Sequence, residues 1–231
     1  MTKLASAAWV MMFLAVSGTH ALATPIQPPV WSGNGSNVGI SWTSQTGNGS
    51  GFVTFDNFSY GSNTLVNQAT WYGIFLNLDL TNGALNTSRW DVMLFDSTGP
   101  GGTPSNMIGG QLNANVQHTT LGTGFFGANQ VTVYQFVADI PDFNAVGGHT
   151  YWFAPVSVGV AGNFAPFFSW IQGTGGDGLS FQAQLTNFVT TNTFVRDGDR
   201  AFALQAVPEP STLALLATGV GALVRRRRRR S

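Results

Sequence analysis

Apolar and polar positions alternate with a period of two along much of the chain, and this predicts strands, because successive side chains of an extended backbone point to opposite faces of a sheet. Phe52, Thr54, Asp56 and Phe58 alternate with Val53, Phe55, Asn57 and Ser59. Trp90, Val92 and Leu94 share one face, while Asp91, Met93 and Phe95 share the other. Residues 69–80, 131–140, 150–160, 179–185 and 201–207 repeat the theme in aromatic and β-branched side chains, which gives seven or more strands.

Turn residues separate these runs. Gly99-Pro100-Gly101-Gly102 lies within 96–104, Asn82-Gly83 is a tight-turn pair, and residues 173–178 hold four glycines. The run from Gly73 to Leu78 has apolar residues on both faces, as expected where two sheets pack on each other. The expected fold class is all-β, an antiparallel β-sandwich with a jelly-roll-like order and few helices.

Composition supports this expectation. Lys3 is the only lysine and Glu209 the only glutamate, so residues 24–206 lack the side chains that favour long surface helices. Cysteine is absent, and the fold must rest on its core instead of disulfides. Neutrality of the whole chain hides an uneven charge distribution. Arg89, Arg196 and Arg200 face nine aspartates within 24–206, a net charge of 3 − 9 = −6, which argues against nucleic acid as a partner.

Both ends read as addresses. Lys3, an apolar run from Ala7 to Val16 and the small-x-small triplet Ala21-Leu22-Ala23 predict a signal peptide over 1–23, cleaved after Ala23. At the other end, Pro208-Glu209-Pro210 precedes an uncharged run from Leu213 to Val224, then Arg225, Arg226, Arg227, Arg228, Arg229 and Arg230. That order suits a helix halted in a bilayer with its basic end in the cytoplasm. From Ser211 to Val224 a helix rises about 21 Å against a hydrocarbon core of about 30 Å. Snorkelling arginines and local thinning of the bilayer make up the difference. Three segments are expected: the signal peptide at 1–23, one exported domain at 24–206 and a membrane-inserted tail at 207–231.

The tail resembles the PEP-CTERM sorting signal of Gram-negative bacterial surface proteins in the order and spacing of its Pro-Glu-Pro, short apolar helix and arginine cluster. The resemblance implies recognition and processing by an exosortase, a membrane-embedded enzyme with a cysteine nucleophile, and an association with exopolysaccharide and biofilm. It implies an inner-membrane stage with the domain on the periplasmic side, then the cell surface or the medium. Asp56-Asn57-Phe58, Trp71-Tyr72-Gly73, residues 92–95 with the following Gly-Thr-Pro turn, and Tyr151-Trp152-Phe153 resemble a jelly-roll domain common among such ectodomains.

Material for catalysis is thin. The exported part holds His118, His149, aspartates and hydroxyls, with no Gly-x-Ser-x-Gly elbow, His-Glu-x-x-His helix or phosphate loop. His118 is read as part of a polar loop and His149 as preceding a strand. No catalytic residue is assigned, and no enzymatic activity is expected. Asp197-Gly198-Asp199 and Asp177, which lies in the glycine-rich loop, offer clustered oxygens of the kind calcium takes, without a twelve-residue calcium loop. Trp31, Trp42 and Trp170 lie near glycine-rich segments, where exposed rings would stack on sugars; packing in the core is the alternative. A structural or adhesive surface protein is the leading reading. A carbohydrate-binding module and an Asp-dependent hydrolase remain open beside it.

Overall fold

The computed structural model describes residues 26–47, 49–76, 89–99, 102–159, 167–187 and 189–205. The expected signal peptide, membrane helix and arginine cluster lie outside the described residues, as does the Asn82-Gly83 pair. Within them the chain forms β1 (Ile26–Gln27), β2 (Ser36–Asn37), β3 (Trp42–Thr43), β4 (Gln45–Gly47), β5 (Ser50–Ser59), β6 (Thr64–Leu76), β7 (Arg89–Ser97) and β8 (Pro104–Ala114). It continues through β9 (Val116–Phe126), β10 (Asn129–Ala145), β11 (Thr150–Val158), β12 (Phe167–Trp170), β13 (Leu179–Thr186), β14 (Val189–Asp197) and β15 (Phe202–Gln205). No helix occurs among the described residues.

The strands make two sheets. The first runs β1-β15-β6-β10-β9-β2, with β12 following β15 along the same edge of β6 and β3 lying outside β12. The second runs β14-β13-β5-β4-β11-β7-β8, and β5 also pairs directly with β11. Most pairs are antiparallel, but β4 runs parallel to β11 and β2 parallel to β9, so both sheets are mixed and the purely antiparallel expectation is corrected. Both parallel strands are short pieces of one early segment, laid into places that the long strands leave open. β5 pairs with β11 only from Thr150 to Phe153, and β4 takes up pairing at Ser157 and Val158. Pro155 sits in the seam between them, where its missing N–H costs no ladder bond, and its carbonyl accepts from Ser44 Oγ at 2.6 Å.

Alternation decides which side chains meet between the sheets. Ala69, Trp71 and Phe75 of β6 and Phe136 of β10 face Trp90, Val92 and Leu94 of β7 and Phe153 of β11 in one buried cluster. Trp71 stacks on Phe136 at 5.6 Å with 15° between the rings, and Trp90 lies 4.9 Å from Phe136. Each large apolar side chain so buried contributes about 1.5–3 kcal/mol, which stands in for the missing disulfides. Gly73 shares this face, and a Cβ there would lie 2.2 Å from the Phe168 ring, so the ring packs where any other residue would stand.

The opposite faces are apolar as well, which explains why these strands lack a clean polar side. Tyr72, Ile74 and Leu76 point away from the central cluster and pack with Val38, Ile171 and Trp31. On the second sheet, Val53, Phe55, Trp152, Ala154 and Val156 form a further cluster.

Three long strands were not foreseen. β8, β9 and β14 are mostly exposed on both faces and carry no apolar-polar contrast. His118 therefore sits in a strand, paired with Phe136, and not in a loop.

Candidate functional site

The chain makes an abrupt passage from surface to core at the end of β14. Asp197-Gly198-Asp199 turns with Gly198 at φ 78°, a conformation suited to glycine, and Arg200 follows directly before the buried Ala201 and Phe202. Asp199 fastens this turn to the glycine-rich loop. Its Oδ1 accepts from the Gly178 N–H at 2.7 Å and its Oδ2 from the Gly176 N–H at 3.0 Å. A Cβ on Gly176 would lie 2.5 Å from Asp199 Oδ1, so the loop comes this close only because residue 176 is glycine.

Arg200 is fully buried and its guanidinium is held by carbonyl oxygens. Nη1 donates to Ile40 O at 2.9 Å and Trp170 O at 3.3 Å, and Nη2 donates to Asp197 O at 3.0 Å and Gly198 O at 2.8 Å. Burial pulls the Arg200 pKa down to about 10, against the opposing charges of Asp56 and Asp199. Asp56, also fully buried, accepts from the Arg200 backbone N–H and from the Asn57 N–H at 2.8 Å. Burial raises its carboxyl well above the usual carboxylate range; the Arg200 amide opposes the shift, and the charge of Asp199 adds to it.

Above this buried cluster lies an open cup of about 340 Å³, lined by Gln27, Asn57, Ser59, Gly175, Gly176 and Asp177. Asp177 closes one side. Its Oδ2 accepts from Asn57 Nδ2 at 2.7 Å and its Oδ1 from the Leu179 N–H at 3.0 Å. Asp56 and Asp199 are absent from the wall of the cup, so the carboxylates do not converge there.

The residues singled out in the sequence thus take separate places. Asp177 stands at the cup, Asp199 is buried with its oxygens on two amides, and Asp197 ends an exposed strand. Among the described residues no group of three His, Cys, Asp or Glu is placed to hold a metal ion, so the calcium set is not assembled. Trp170 is fully buried and its Nε1 donates to Ala201 O at 2.8 Å, which removes it from any exposed platform. Trp31 and Trp42 are half-buried at the surface. His149 precedes β11 as expected, with Nε2 2.6 Å from Asp96 Oδ1 in a solvent-facing pair. That hydrogen bond, joined by the Ser97 N–H, holds the Asp96 pKa below its ordinary value.

Asp56 and Arg200, the most deeply placed charged groups, were missed. Arg200 gave one signal: a charged residue wedged between a turn and an apolar strand. Asp56 gave another, standing on the same alternation face as Phe52 and Phe58.

No curated protein and no solved structure matches the chain. A family model does match, that of the PEP-CTERM protein-sorting motif, over residues 206–229. The matched stretch takes in Pro208-Glu209-Pro210, the apolar run and the arginines from Arg225 to Arg229. The motif indicates exosortase-targeted sorting, and the chain is a protein that carries the PEP-CTERM sorting motif at residues 206–229.

Proposed function

We propose that this is an exported, non-enzymatic surface or matrix protein, held in the inner membrane by its tail with the β domain on the periplasmic side until an exosortase processes it. The observation that carries the reading is the match over 206–229, which begins at the residue after β15. Little chain separates the folded sheet from the motif, so the domain is presented close to the bilayer. In this reading Pro208 and Pro210 keep the recognition stretch extended, Glu209 supplies the charge near the outer face, and Arg225 to Arg230 fix orientation. The role read here is structural or adhesive, beside exopolysaccharide, and what supports it is the sorting address.

The test is to separate inner membrane, envelope and medium of the native cells and to identify the C-terminal peptide in each by mass spectrometry. Loss of the arginine tail from the envelope or secreted pool supports processing. An intact tail confined to the inner membrane makes the segment an ordinary anchor and overturns the reading.

A further inference from the structure

Arg196 is held in an unusual setting for a surface cation. Its guanidinium lies 4.2 Å from the Trp42 ring centroid and 4.4 Å from that of Phe194. Nε and Nη2 both donate to Gln182 Oε1, at 3.1 and 2.8 Å, and among the described residues no acceptor is placed on Nη1. Gln182 is itself fixed, its Nε2 donating to Thr43 O at 2.9 Å and Thr54 Oγ1 at 3.2 Å. The other two arginines among the described residues are engaged: Arg200 with carbonyls inside the core and Arg89 with Asp91 at 3.3 Å. Among the described residues no carboxylate pairs with Arg196, in a domain rich in aspartate.

A cleft adjoins it. Gln184, two residues from Gln182 on the same face of β13 and so about 7 Å away, lines a cavity of about 320 Å³ together with Thr43, Ser50, Phe52, Phe167 and Thr186. Asn192, opposite Gln184 on β14, donates through Nδ2 to Gln184 Oε1 at 3.0 Å. The stripe from Arg196 through Phe194, Gln184 and Asn192 into the cleft therefore offers a rigid cation, aromatic rings, amides and hydroxyls where β13 and β14 of the second sheet meet β3 and β12 of the first.

We propose that this stripe is a binding site for a carboxylate-bearing saccharide, with a uronate carboxylate on the free edge of Arg196 and the next sugar in the cleft. A stacked guanidinium whose fork is pre-oriented loses little freedom when it meets a planar carboxylate. Amides and hydroxyls match sugar hydroxyls as both donors and acceptors, and the Phe52 and Phe167 rings offer apolar contact for the ring C–H faces. The site stands on these side chains alone and does not depend on the sorting motif.

The test is a titration of the full-length purified protein with oligogalacturonate, its methyl ester and polyglutamate, repeated with Arg196→Gln and with Arg89→Gln, which makes the same charge change elsewhere. Oligogalacturonate is expected to bind, the ester to bind about tenfold or more weakly, and Arg196→Gln to lose a similar factor while Arg89→Gln does not. Melting curves of the two variants confirm that both are folded. If Arg196→Gln melts early, Arg196→Lys takes its place, and it is expected to weaken binding by loss of the planar fork. Failure of the protein to bind oligogalacturonate, or equal loss in both variants, overturns the site while leaving the sorting reading intact. Equal binding of polyglutamate overturns the saccharide class.

Discussion

The backbone N–H of Arg200 donates to the buried carboxyl of Asp56, while the Arg200 side chain turns the other way onto the carbonyls of Ile40, Trp170, Asp197 and Gly198. One residue thus joins the β5 strand, the 40s segment, β12 and the turn after β14. Replacing it strands several buried carbonyls at once. Arg200→Met is expected to destabilise the fold by about 3–5 kcal/mol, and Arg200→Lys by less, because one ammonium reaches only part of the carbonyl set. Urea unfolding checks this, and a loss below about 1 kcal/mol for the methionine variant would show that the carbonyls find other partners.

Asp56 gives the fold a pH dependence of defined sign. Its folded pKa is raised above the unfolded value of about 3.9. The folded state therefore binds the proton more tightly, and the associated stability is complete below about pH 3.9 and is lost as pH rises through the raised folded value. From about pH 4 upward the urea midpoint should fall until the buried carboxyl ionises. Asp56→Asn lowers absolute stability by leaving a less suitable acceptor for the Arg200 amide, but it should flatten that slope. A slope unchanged in Asp56→Asn would assign the titration to another group.

How much of this was legible depended on contrast between neighbouring positions. Trp90, Val92 and Leu94 form an unbroken apolar face with Asp91 at the start of the other, and they lie in β7 with that face buried. Thr190, Thr191, Asn192 and Thr193 offer no such contrast, because β14 is solvated on both faces over this stretch. Pairing order was beyond reach for a related reason, since apolar outer faces on both sheets make many partners equally suitable. The sorting tail was legible in full as a motif because its signal is linear. The Arg196 stripe was not, because it joins Trp42 to residues 155 positions away, where Trp42 Nε1 donates to Asp197 O at 3.4 Å.

Gly73 tests the packing between β6 and β12. A Cβ there would meet the Phe168 ring at 2.2 Å, inside a fully buried cluster with no room to yield. Gly73→Ala should cost about 1–3 kcal/mol through this overpacking. Adding Phe168→Leu should recover part of the loss, so that the double variant is more stable than the sum of the two single changes predicts. Strict additivity in urea unfolding would mean that the methyl group and the ring do not compete for one space.

Asp199 is expected to act as a loop clamp. With Oδ1 and Oδ2 on the Gly178 and Gly176 amides, Asp199→Ala should destabilise the fold by about 1–3 kcal/mol and loosen the 173–178 loop, read as faster amide exchange at those glycines. Chelator should leave the melting temperature of the parent protein unchanged. A fall on chelation, reversed by calcium, would show that the aspartates of this region gather round an ion.

The short interval between β15 and the motif gives the last prediction. β15 ends at Gln205, its pairing with β6 closing at Gln68, and only Ala206 and Val207 stand between it and Pro208-Glu209-Pro210. In the proposed reading, a processing enzyme that recognises Pro-Glu-Pro must reach it between the sheet and the bilayer. Replacing the triplet with three alanines removes two prolines that resist helix and puts helix-favouring residues in their place. Export should continue, the chain should accumulate in the inner membrane with Arg225 to Arg230 intact, and the melting temperature of the domain should not change. Inserting a flexible Gly-Ser spacer between Gln205 and Pro208 should leave processing intact or speed it. Normal release of the triple-alanine variant would show that the enzyme reads the apolar run and the arginines instead.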